Sequence, residues 1–195
     1  MSYVYEDSKS DFWKDKWVKA QTYDDFIESG TASEKEQWLD RKNRVPDLTE
    51  KQIERLKGYN RELNVLVYAG SYCGDCSRVA PMILKMAEAA GEKVKVKFID
   101  REVSTELRDE LKILGAIRVP VVVFLTEDFW HVGRFGERLL SVYRSKAARE
   151  IGRGKDHGVL SPKALEREIS EWLDVFERML IMVRLAPPLR KRYND

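Results

Sequence analysis

Three segments between residues 64 and 98 constrain the fold most. Asn64-Val65-Leu66-Val67-Tyr68-Ala69 is short, apolar and β-branched, the texture of a buried strand. A turn, Gly70-Ser71-Tyr72-Cys73-Gly74-Asp75, follows. Apolar residues then recur at Val79, Met82, Ile83, Met86, Ala87 and Ala90, which predicts a helix from Cys76 to a stop at Gly91. Val94, Val96 and Phe98 alternate with Lys93, Lys95 and Lys97, as in a strand with one solvated face. A strand, a helix and a strand in this order require parallel pairing through a right-handed crossover.

The rest of the chain extends this unit. Ser104 is placed to cap a helix whose buried side is Leu107, Leu111 and Leu114, with Gly115 after it. Val119 to Leu125 reads as the strongest strand; Thr126-Glu127-Asp128 turns it, and Phe129 to Phe135 returns antiparallel. Glu137 to Ile151 reads as a helix closed by Gly152, and Arg153 to Gly158 as a polar loop. Ser161 caps a long helix with Pro162 at its first position. Its stripe is Leu165, Ile169, Trp172, Leu173, Phe176, Leu180 and Val183, and Pro187-Pro188 ends it before a frayed tail. Upstream, residues 1–61 carry no strand signal. They hold an amphipathic segment with Phe12, Trp13 and Trp17, and two capping boxes, Ser33 with Glu36 and Thr49 with Gln52. The expected fold class is α/β, a small mixed sheet flanked by helices. The expected division is a helical extension over 1–61, a core over 62–152, and a loop and long helix over 153–195 packing on that core.

Composition agrees. Five Trp, eight Tyr and seven Phe can build a core, which argues against disorder. Two cysteines are too few for a disulfide-rich secreted scaffold. No apolar run reaches the length of a membrane span. Acids and lysines crowd the first residues with no apolar stretch after them, so no secretory signal is read and the expected compartment is the reducing cytoplasm. The net charge of +2 divides as −1 over residues 1–61, −2 over 62–133 and +5 over 134–195. The basic excess is diluted by Glu, so it reads as a solvated surface and not a nucleic-acid stripe.

Cys73-Gly74-Asp75-Cys76 falls where the first strand turns into a helix. A helix N-terminus offers free N–H groups and a partial positive charge, both of which stabilise a thiolate. The thiolate is the nucleophile in thiol–disulfide chemistry. Cys73, at the loop edge, is therefore the candidate attacking thiol; Cys76, one turn further in, is the candidate resolving thiol. Gly74 keeps the turn tight and leaves room for a substrate backbone.

Residues 64–151 resemble the thioredoxin superfamily: a strand, CxxC, helix, strand, helix, then a strand opening Ile117-Arg118-Val119-Pro120. Pro81, five residues after Cys76, matches the helix proline common in that superfamily, and Gly136 lies near the glycine that often follows the last strand. The chain also looks like CGDC-bearing thioredoxin-like proteins with a helical extension. The resemblance implies a thioredoxin-like core, a cis bond at Val119–Pro120 and disulfide exchange by Cys73 and Cys76. It also implies Val119 and Pro120 as the substrate-docking edge. Tyr72, an aromatic residue beside Cys73, is read either as shaping the substrate surface or as simple packing. Implied partners are a disulfide-bearing protein or small thiol adduct and an upstream reductase; no organic cofactor is implied. The chain departs from the pattern with Tyr72 in place of Trp, Asp75 in place of Pro, and no acid between Val65 and Ala69. The base for Cys76 is therefore left open between Asp75 and water. Asp75 is expected to oppose the Cys73 thiolate and make the couple more reducing.

Two rival functions are a thioredoxin-fold binding module and a metal or iron–sulfur site bridging two chains. Cys73, Cys76, His131 and His157 are the only Cys and His in the chain, and His157 is distant in sequence. Leu180-Ile181-Met182-Val183 is apolar on more than one helix face and could meet a second copy, making a homodimer. Trp13, Trp17, Trp38 and Trp172 read as core, and His131 as structural.

Overall fold

The computed structural model describes residues 6–194. The chain begins with four helices: α1 (Ser10–Lys19), α2 (Tyr23–Glu28), α3 (Ala32–Arg44) and α4 (Glu50–Leu56). The βαβ unit follows as β1 (Leu63–Ala69), α5 (Gly74–Ala90) and β2 (Val94–Asp100). After α6 (Thr105–Glu110) come β3 (Val121–Thr126), β4 (His131–Gly136), α7 (Leu140–Ile151), α8 (Pro162–Leu185) and α9 (Pro187–Tyr193).

The sheet order is β2-β1-β3-β4. β1 pairs parallel with β2 and antiparallel with β3, and β3 pairs antiparallel with β4. All seven β1 residues are buried because both faces of the sheet are covered. Val65, Val67 and Ala69 face a core built with α2 to α5 and α8. Leu66 and Tyr68 face a second core with Trp13 and Trp17 of α1 and Leu107 of α6. This is the mixed α/β sheet with added helices that the sequence predicts. The four tryptophans read as core are buried.

Several local expectations are corrected. The helix read as starting at Cys76 starts at Gly74, with Cys73 as its N-cap. The first capping box is Thr31 with Glu34, not Ser33 with Glu36. Leu114 is not on the buried side of a helix: α6 stops at Glu110, and Leu114 is 98% exposed at φ 52°. The expected frayed tail forms α9, because Pro187 occupies a first-turn position that lacks an intrahelical N–H partner in any case, and Leu189 is buried. No helix among the described residues is long and apolar enough to cross a membrane.

Candidate active site

β1 ends at Ala69, and the chain turns through Gly70 to Tyr72 before α5. The Cys73 N–H donates to the Gly70 carbonyl at 3.0 Å, which closes that turn. Gly70 lets the Tyr72 ring fold back over the turn, since a Cβ would stand 2.6 Å from that ring and displace it. The folded-back ring is 54% exposed and carries the Arg101 guanidinium 5.4 Å from its centroid. The N-terminal helices hold the same turn: Trp38 Nε1–H donates to the Ser71 carbonyl at 2.7 Å.

As N-cap, Cys73 accepts the backbone N–H of Cys76 on its sulfur at 3.3 Å. Cys73 is half-buried, whereas Cys76 is sealed beneath it, and both are free thiols. The two environments push the thiols apart. The hydrogen bond from the Cys76 side chain leads in lowering Cys73; burial opposes it, the Cys76 and Asp75 N–H groups assist, and the result is about 7. Burial, above all, lifts Cys76 well above the ordinary thiol range.

Sheet register brings the second wall to this point. Val121 pairs with Tyr68, one residue before β1 ends, so Val119 and Pro120 arrive beside the α5 N-terminus. The Val119 carbonyl lies 3.7 Å from Cys73 Sγ. The Val119–Pro120 bond is cis, as expected from the resemblance. Gly136 closes against the same segment, where a Cβ would stand 2.8 Å from the Pro120 carbonyl oxygen. Gly74, by contrast, has open space at its Cβ position.

Asp75 sits in a charge network that sequence reasoning missed. Its carboxylate meets Arg78 Nη1 at 2.5 Å and Arg138 Nη2 at 2.7 Å. Arg78 is buried and continues to Glu168 of α8, with Nε donating at 2.8 Å and Nη2 at 3.2 Å. Arg138 continues to Glu137 at 2.8 Å. Burial works against the Asp75 charge, yet the two guanidiniums outweigh it and hold the carboxyl below the usual range. A carboxylate so engaged is a poor proton acceptor, so of the two bases left open for Cys76, Asp75 is disfavoured. Its effect on Cys73 is also the last and smallest of the influences at that thiol. Arg78 could have been noticed as a neighbour of Asp75 at helical i, i+3 spacing. Arg138 and Glu168 carry no local signal.

The histidines are not brought to the cysteines. His131 stacks on Trp13 with ring centroids 5.5 Å apart. It pairs with Leu125 near the Leu63 end of the sheet, opposite the end at which Cys73 stands. His157 lies in the loop between α7 and α8. Among the described residues, no group of three or more His, Cys, Asp or Glu side chains is placed to hold a metal ion.

Comparison with known proteins places this geometry in a family. Curated proteins give no match. Solved structures share the fold, among them the following two. One is a protein of unknown function from Pseudomonas aeruginosa, 22% identical with a TM-score of 0.65, covering 85% of this chain and 96% of that one. The other is an HIV epitope scaffold, 20% identical with a TM-score of 0.58, covering 87% of this chain and 93% of that one. The family model described as thioredoxin matches residues 20–146, a span that holds the βαβ unit, both cysteines and the Val119–Pro120 segment. The chain belongs to the thioredoxin family.

Proposed function

We propose that the protein is a thiol–disulfide oxidoreductase that works as a disulfide reductase. The observation that carries this reading is the pairing of a half-buried Cys73 sulfur at the mouth of α5, lowered to about 7, with a buried thiol one turn behind it.

The Cys73 thiolate attacks one sulfur of a substrate disulfide. The substrate S–S bond breaks, its other sulfur leaves as a thiolate that takes a proton from water, and a Cys73–substrate mixed disulfide forms. Cys76, kept protonated by burial until this stage, loses its proton to water and attacks Cys73 Sγ. The Cys73–Cys76 disulfide forms as the second substrate thiol leaves. Two electrons have passed from the protein dithiol to the substrate, and a separate reductase returns them. The cysteine pair is the redox group, and no organic cofactor is needed. Tyr72, Gly74, Val119 and Pro120 form the edge on which the substrate backbone lies. Asp75, held between two guanidiniums, sets the charge beside the nucleophile. The substrate is a protein disulfide or a small thiol adduct, and the chemistry suits a reducing compartment.

The test is dithiothreitol-coupled reduction of a model disulfide. Wild type turns over and Cys73→Ser does not; incubated with the model disulfide before any dithiothreitol is added, Cys76→Ser accumulates the mixed disulfide, seen as a mass increase that dithiothreitol then removes. Equal rates for wild type and Cys73→Ser would overturn the proposal and leave the fold as a binding scaffold.

A further inference from the structure

Away from the cysteines, α7, α8 and their connecting loop line a solvent-open cavity of about 600 Å³, a size that suits a small molecule. Arg144 of α7 and Arg167 of α8 line its two walls, and Arg153, Lys155 and His157 close it from the loop. Among the described residues Arg144, Arg153, Lys155 and Arg167 form no ion pair, unlike Arg78 or Arg138. The nearby carboxylates are already committed. Glu171, in the cavity wall, accepts the Ser141 N–H at 2.9 and 3.0 Å and its hydroxyl at 2.8 Å. Glu168, on the adjoining cleft with His157 and Arg167, is bound to Arg78. Four positive charges thus converge on one hollow against a single satisfied carboxylate, in the part of the chain that carries the +5 excess.

Four exposed like charges facing one hollow raise its positive potential and favour an anion there. Guanidinium forks match phosphate oxygens in pairs, and the lysine adds a point charge. No Phe, Tyr or Trp side chain lines the cavity, and His157 is its one ring, so charge dominates what it can recognise. We propose that this cavity binds the phosphate chain of a small polyanion, at a site separate from the cysteine pair.

The experiment is titration calorimetry of the full-length reduced protein with tripolyphosphate, ATP and citrate at physiological salt. Tripolyphosphate should fill one saturable site and raise the melting temperature by mass action. ATP should bind within about threefold of it, citrate at least tenfold more weakly, and Arg144→Gln or Arg167→Gln should weaken tripolyphosphate about tenfold or more. These side chains are exposed, so both variants should melt as high as wild type without ligand, which assigns the loss to binding. Lys163→Gln, exposed on α8 outside the cavity, and Cys73→Ser should bind as wild type does. Absence of saturable binding, or unchanged affinity in both arginine variants, overturns the site. Citrate binding as tightly as tripolyphosphate overturns the phosphate assignment, and ATP binding tenfold tighter overturns the restriction to the phosphate chain.

Discussion

Asp75→Asn isolates the charge that this chain places inside the CxxC ring. In the native site the carboxylate is held between Arg78 and Arg138, at 2.5 and 2.7 Å. Removing it takes away a charge that opposes the thiolate, so the Cys73 thiolate is favoured and its pKa falls below about 7. With the charge ~6 Å from the sulfur and an effective dielectric of ~40–80 at this partly wetted site, the interaction is ~0.7–1.4 kcal/mol. That corresponds to about half to one unit in pKa. At pH 8, where the thiolate dominates in both proteins, the same stabilisation of the reduced form raises the redox potential by about 15–30 mV. The assay is the pH dependence of thiolate absorbance in the reduced protein, with the potential measured against a glutathione buffer. A pKa that rises in the Asn variant would refute the reasoning, because the carboxylate would then be supporting the thiolate, not opposing it.

Alkylation of reduced wild type by iodoacetamide should modify Cys73 alone and reach half its maximal rate near pH 7. Cys73 is lowered to about 7 in the fold, so its thiolate fraction is lost as pH falls through that value, while Cys76 stays protonated. Glu168→Gln should destabilise the protein by about 3–5 kcal/mol in denaturant titration, because it leaves the Arg78 guanidinium buried without its main partner. A loss below about 1 kcal/mol would show that the pair adds little. Gly136→Ala should cost about 1–3 kcal/mol and slow disulfide reduction, since its methyl group meets the Pro120 carbonyl and forces the Val119 segment to move. An Ala variant with wild-type stability and rate would show that this contact relaxes freely.

What was legible in the sequence follows from how far each signal reaches along the chain. The stripe from Val79 to Ala87 and the β-branched run before it fix the βαβ unit locally, and with it the placement of Cys73 and Cys76 at a helix mouth. The Val119–Pro120 wall was legible only through the family resemblance; what the residues marked by themselves was the strand that follows it. Helix edges were less legible. Thr31 with Glu34 and Ser33 with Glu36 are overlapping pairs of the same spacing, and spacing alone does not say at which of them the backbone enters the helix. Leu114 continues the spacing of Leu107 and Leu111, but spacing carries no information about where the backbone leaves the helix. The largest omission is electrostatic. Glu168 stands 90 residues from Arg78 in sequence, and the stripe on α8 shows only which side is apolar, not that one acid lies buried within it.

That acid ties the fate of the Cys73–Cys76 motif to a helix that lies beyond the span matched by the family model. A fragment ending at Gly152 would retain both sulfurs and every strand, yet strand a guanidinium in the interior with half its compensation gone. Grafting the four-residue motif into another member of the family would transplant the cysteines without the counter-charge that surrounds Asp75. The appended helix thus belongs to the motif's surroundings, and engineering of the one has to carry the other with it.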